Sequence, residues 1–107
     1  MEAKQARYKK IKMRISNLGM AIPGTIRTIY QRCGKSNCSC SSGQISDRHG
    51  PYIFWDRKRK GSLSSVSLSA DHKKLIQEGI ANRKKLEKLV REMLKIGEEY
   101  ATSLKKL

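Results

Sequence analysis

Three thiols and one imidazole stand close enough along this chain to share a metal ion. Cys33, Cys38 and Cys40 are the only cysteines, all within Cys33-Gly34-Lys35-Ser36-Asn37-Cys38-Ser39-Cys40, and His49 follows nine positions after the last. Soft thiolates and a neutral imidazole make up the four tetrahedral ligands of a structural zinc site. Gly34 and Asn37 accept the tight backbone turns that let such ligands converge. An odd cysteine count in a chain without an export signal argues against a disulfide framework. The expected cofactor is therefore one Zn2+ held by Cys33, Cys38, Cys40 and His49. Filling all four positions leaves none open for water, so the metal would be structural rather than catalytic. The single residue between Cys38 and Cys40 is a rarer spacing than two. An iron-containing cluster and reduced or redox-active thiols stay open as alternatives, as does His72 as rival fourth ligand, with Asp47 a weaker one.

The second chemical signal is charge. Lys and Arg number 24 against nine Asp and Glu, giving a net charge of +15 and a pI near 10.1. That much like charge in a small compact state repels itself, and a polyanion relieves the repulsion. A basic balance of this size is the usual footprint of a nucleic-acid-binding domain. Lys4, Arg7, Lys9, Lys10, Lys12 and Arg14 are opposed only by Glu2 and read as a basic arm. Arg57, Lys58, Arg59 and Lys60 read as a basic hairpin tip, with Arg27, Arg32 and Lys35 leading into the cysteine loop. Tyr30, Tyr52, Phe54 and Trp55 are the aromatics nearest these cations; Tyr52 and Phe54 would stack bases if their sheet face is open.

The elements that position these groups fall into three stretches of one 107-residue domain. In residues 1–19, Tyr8, Ile11, Ile15 and Leu18 mark one helical face, with Gly19 in the place of a C-cap glycine. Residues 20–69 read as a small antiparallel sheet. Strands are expected over Thr25 to Arg32, Tyr52 to Asp56 and Ser62 to Leu68, with turns at Pro23-Gly24 and His49-Gly50-Pro51. Residues 70–107 read as a long charged helix capped by Ser69. Its apolar stripe runs through Leu86, Leu89, Met93, Ile96, Tyr100 and Leu107, with Leu75 in the same register upstream and Gly79 and Asn82 out of it. The fold class is α+β: a short basic helix, a two- or three-stranded sheet with a zinc-knuckle-like Cys3His loop, and a long C-terminal helix. The stripe would pack within the chain, or else residues 83–107 would form a homodimer or dock on a protein partner.

The order Pro23-Gly24-Thr25-Ile26, then Cys33-Gly34-Lys35-x-x-Cys38-x-Cys40, Gly43, and His49-Gly50-Pro51-Tyr52 resembles that of a family of short, uncharacterised bacterial and archaeal proteins. The resemblance covers roughly residues 20–100 and leaves the N-terminal basic stretch, residues 1–18, as an addition. It implies a basic strand–hairpin region followed by a long charged helix. Members often carry a basic residue between the last two cysteines, where this chain has Ser39. The resemblance carries no activity with it.

Two histidines, nine scattered acids, no phosphate-cradling glycine loop and no nucleophile–base pair argue against an enzyme. No apolar run reaches the length of a membrane span, and no secretory leader is visible, so membrane and export are not expected and the chain is placed in the cytoplasm. The expected function is a small zinc-stabilised nucleic-acid-binding protein, DNA favoured slightly over RNA, associated with nucleoid or ribosome. The alternatives are a protein-interaction subunit acting through the C-terminal helix and a ribosome-associated RNA-binding protein.

Overall fold

The computed structural model describes residues 2–31, 37–42, 44 and 48–105, and for residues 2 and 40 the backbone alone. The elements run α1 (Glu2–Ser16), β1 (Thr25–Gln31), a 3-10 turn over Ser39–Ser42, β2 (His49–Arg59), β3 (Ser62–Ser67) and α2 (Ala70–Lys105). This is the expected α+β arrangement, with three strands. The chain divides into two compact units, one formed by Met1–Ile22 with Glu78–Leu107 and the other by Pro23–Gln77.

In the helical unit, Ile11, Leu89 and Ile96 form a buried cluster against which Ile15, Leu18 and Met93 pack. The apolar face expected on α1 is thus used, except that Tyr8 remains 37% exposed. A 15-residue helix is marginal alone, and this packing is what holds it. Glu99 adds polar ties, accepting Lys4 Nζ on its carbonyl at 3.4 Å and facing Arg7 Nη1 at 3.6 Å with its carboxylate.

The link after α1 departs from expectation. The helix closes at Ser16, with Asn17 N–H donating to Met13 O (3.2 Å) and Leu18 N–H to Ile15 O (3.1 Å). Gly19 is therefore not the helix cap; it lies beside the Asn82 side chain. The link is then fastened to α2. Asn82 Nδ2 donates to Met20 O (3.0 Å), Arg83 Nε to Ile22 O (3.0 Å), and Ile22 N–H to Gly79 O (3.0 Å). Gly79, which interrupts the apolar stripe, is buried: Ile22 lies where a side chain would stand, its Cβ only 2.9 Å from the place a Gly79 Cβ would take. Leu75, which fits the stripe, is instead 62% exposed.

The other unit holds an antiparallel sheet in the order β1-β2-β3, in the register Ile26↔Trp55↔Val66. The β2–β3 turn is two residues, Lys60 (φ 51°) and Gly61 (φ 82°), inside the Arg59↔Ser62 pair. Positive φ at both positions is the twist-matched hairpin turn, and it explains why Gly stands at 61. Consequently Arg57, Lys58 and Arg59 are strand residues, and of the four expected tip cations Lys60 alone sits in the turn. The turn expected at His49-Gly50-Pro51 is also strand, since β2 begins at His49 and pairs it with Gln31, with a register irregularity between Ile29 and Gln31.

Side chains alternate between two faces of the sheet. On one, Asp56 accepts Arg27 Nε (2.8 Å), Arg27 Nη2 (3.3 Å) and Ser65 Oγ (2.5 Å), tying all three strands, and the Arg27 guanidinium lies 4.8 Å over the Phe54 ring. On the other, Arg57 lies 4.3 Å over Trp55, whose Nε1 donates to Pro23 O at 2.8 Å. Ile53 is buried, and its carbonyl takes the Leu68 N–H (2.8 Å) as the chain leaves β3. Ser69 then caps α2 by accepting the His72 N–H on its Oγ (3.2 Å), as expected. Among the described residues, no helix is long and apolar enough to cross a membrane.

Hydrogen bonds from Arg27 and then Ser65 hold the Asp56 carboxyl below its ordinary pKa, and the bond to Asp56 raises that of Arg27. A depressed acid contributes stability that is complete above its unfolded pKa and lost as pH falls through the folded one. Asp56→Asn should therefore be less stable than the parent at neutral pH, with the difference shrinking towards zero under acid. Urea midpoints measured against pH test this, and a difference constant with pH would refute it. Gly79→Ala sets a helix-propensity gain of about 1 kcal/mol against an overpacking cost of about 1–3 kcal/mol. Because Ile22 Cβ is fixed by its backbone, net destabilisation is expected, visible as a lower melting temperature; a higher one would show that the link yields.

Candidate functional site

Each expected metal ligand has a definite place in the chain's geometry or lies outside the described residues. Cys38 and His49 are described, and they meet: Cys38 Sγ is 3.1 Å from His49 Nε2, both side chains half-buried. The local sequence explains the approach. After Cys38 the chain winds into the 3-10 turn over Ser39–Ser42, with Ser41 donating to Cys38 O from both N–H (3.0 Å) and Oγ (2.7 Å). Ser42 Oγ then accepts the Gln44 N–H at 3.1 Å. His49 is fixed by its place at the start of β2, opposite Gln31. Gln31 precedes Cys33 by two positions in the chain.

Two ligands on one tetrahedral zinc stand about 3.5 Å apart, given Zn–S and Zn–N bonds of about 2.3 and 2.0 Å. The Cys38–His49 separation is a few tenths of an ångström shorter, so slight opening of the pair admits the ion. The same separation also suits a thiol–imidazole hydrogen bond. Cys33 and the Cys40 side chain lie outside the described residues, as does Asp47. Among the described residues no cluster of three or more His, Cys, Asp or Glu side chains is present. His72 is exposed in the first turn of α2. The donor set fits zinc in kind, with one soft thiol and one imidazole already converging.

The basic residues divide by what they touch. Arg27 is engaged with Asp56 and Phe54, and Arg57 is half-buried on Trp55, its Nη1 shut away from solvent. Both act chiefly as braces of the sheet. Lys58, Arg59 and Lys60 are exposed at the turn end of the hairpin. On α1, Arg7, Lys9, Lys10, Lys12 and Arg14 are exposed, while Lys4 is half-buried against α2. Arg32 and Lys35 lie outside the described residues. Of the aromatics, Tyr30 and Tyr52 are 50% and 40% exposed, whereas Phe54 lies half-buried beneath Arg27. Of the two rings named for stacking, Tyr52 is thus the more exposed and Phe54 the more covered.

One feature of the helical unit escapes sequence reasoning. Tyr8, Lys9 and Lys12 border an open groove floored by Ile96, Gly97 and Tyr100, with the Lys12 ammonium 6.0 Å from the Tyr8 ring centre. The signal for it in the sequence is Gly97, a glycine inside a helix with no turn to justify it. Arg83 is another: it reads as ordinary helix-surface charge, yet it reaches Ile22 O and the Glu87 carboxylate (2.5 Å).

No curated protein and no solved structure matches the chain. A family model described as a domain of unknown function, DUF6788, matches residues 1–78. The match takes in residues 1–18, expected above to be an addition, and all four expected metal ligands, and it ends near the point where α2 enters the helical unit. By that match over most of its length, the chain belongs to the DUF6788 family.

Proposed function

We propose that this chain is a small zinc-stabilised nucleic-acid-binding protein, a binder rather than an enzyme, with DNA favoured slightly over RNA. The observation that carries the reading is the charge of +15, much of it on exposed side chains of α1 and of the β2–β3 hairpin end. Such cations neutralise phosphates and release counterions, so affinity falls steeply with salt. Lys9, Lys10, Lys12, Arg14, Lys58, Arg59 and Lys60 are the principal phosphate contacts, and Tyr52 offers a ring for a base. The partner places the protein in the cytoplasm, on nucleoid or ribosome. Binding titrations against duplex DNA and structured RNA at two salt concentrations test it. Tight, salt-sensitive binding supports the reading and the preferred polymer chooses between the two locations; micromolar or weaker binding to both at low salt overturns it.

Replacing Lys58, Arg59 and Lys60 together by Ser, with Arg57 kept because it braces Trp55, should lower the log–log salt slope for duplex DNA by about two to three. An unchanged slope removes the hairpin from the interface.

The metal's part is to close the loop between β1 and β2. Cys33, Cys38, Cys40 and His49 would hold one Zn2+, and the support is the Cys38–His49 approach at 3.1 Å. Metal analysis of purified protein should give about one zinc per chain, and Cys38→Ser or a chelator should lower the melting temperature of the sheet unit. Protein free of metal that melts at the same temperature with and without added zinc would refute the site.

A further inference from the structure

The groove between α1 and α2 lies wholly within the helical unit and has a volume of about 430 Å³, in the range of small-molecule sites. Ile96, Gly97 and Tyr100 floor it, and Tyr8 borders it from α1. Lys4, Tyr8 and Lys12 succeed one another at single helical turns, so a lysine stands one turn before the ring and another one turn after it. Lys9 brings a third cation to the rim. Among the described residues that line the groove there is no Asp or Glu. The Glu99 carboxylate lies outside it, facing Arg7 at 3.6 Å. The groove thus joins an apolar, aromatic floor to a rim of one sign of charge.

Two observations say what suits such a groove. The first is Gly97. A glycine in a helix interior is destabilising relative to alanine, and nothing among the described residues comes within 4 Å of a Cβ built there. The chain's own packing therefore gives no reason for it, whereas a flat ligand lying against the helix backbone does. The second is the pairing of part-exposed rings, Tyr8 and Tyr100, with unopposed lysines. Sites for single-stranded nucleic acid are built that way: aromatic faces stack the bases, and cations follow the phosphates. A duplex keeps its base faces stacked inside and offers none to such a ring.

We infer that this groove takes an unpaired base of a single-stranded nucleic-acid segment. The base lies on Gly97 against Tyr8 and Tyr100, and Lys9 and Lys12 meet the phosphates on either side of it. Lys4, held by its hydrogen bond to Glu99 O, keeps a third positive charge at the rim. The inference rests on the nucleic-acid reading and deepens it. The exposed cations elsewhere take any phosphate backbone, while this groove alone tells a strand with free bases from one without.

The test compares, by fluorescence anisotropy with the full metal-loaded chain, an oligothymidylate of about twelve nucleotides and an abasic strand of the same length and charge. The parent should bind the oligothymidylate at least about fivefold more tightly than the abasic strand. Gly97→Leu fills the groove floor, and Tyr100→Leu removes a ring while keeping an apolar side chain. Each should bring that ratio to about one and leave the affinity for the abasic strand unchanged. Gly97→Leu should also melt at or above the parent's temperature, since the helix gains propensity and the groove has room for the side chain. A parent ratio of about one, with salt-sensitive binding to the abasic strand and to duplex DNA, overturns the inference and spares the nucleic-acid reading. Binding to none of the three at low salt overturns both. A preference that survives Gly97→Leu puts the base elsewhere and also refutes the groove. Polyglutamate that binds the parent more tightly than the abasic strand, and loses that advantage in Gly97→Leu, would assign the groove to an acidic protein segment instead.

Discussion

The thinness of the core governs the rest of the molecule. Among the described residues, the buried apolar side chains are Ile11, Ile53, Ile80, Leu89 and Ile96. A chain of this size with so little buried apolar area cannot rely on the hydrophobic effect alone to order its connections. Directed polar contacts therefore take over at each point where the path must be fixed. Asp56 gathers Arg27 and Ser65 from the flanking strands, and Asn82, Arg83 and the Gly79 carbonyl hold the link that leaves α1.

The same scarcity shapes how charge is used. Several cations in this chain stabilise the fold instead of facing a ligand. Arg27 and Arg57 cover Phe54 and Trp55 with their guanidinium planes, shielding ring surface that a thicker sheet would bury under another layer. Arg83 and Lys4 donate to main-chain carbonyls. Lys9, Lys10 and Arg14 on α1 and Lys58, Arg59 and Lys60 at the hairpin turn are instead exposed, as are most cations of α2. A metal between β1 and β2 would serve the same need for external fastening, in a loop where Ser41 and Ser42 already turn the chain by hydrogen bonds.

Much of the local structure was legible in the residues. The α1 face Ile11, Ile15 and Leu18, the Ser69 cap and the three strands follow from side-chain periodicity and turn chemistry, which are properties of short windows. The approach of Cys38 to His49 was likewise foreseeable, because ligand type and spacing are carried by the sequence itself. The basic tip was misread for a local reason: Arg57 to Lys60 look like a loop by composition, but Lys60 and Gly61 suffice for the turn, which returns the preceding three residues to the strand.

The sequence by itself determined which elements form, the sign and size of the charge, and the clustering of thiols ahead of His49, since each depends on residue identity over a few neighbouring positions. Tertiary structure alone decided the rest. It set Leu89, Met93 and Ile96 of α2 against α1, buried Gly79 beneath Ile22 while leaving Leu75 in solvent, and laid Arg27 over the Phe54 ring. Those outcomes turn on contacts between residues dozens of positions apart, where the free energy of one partner depends on the placement of the other, and no window of sequence contains both.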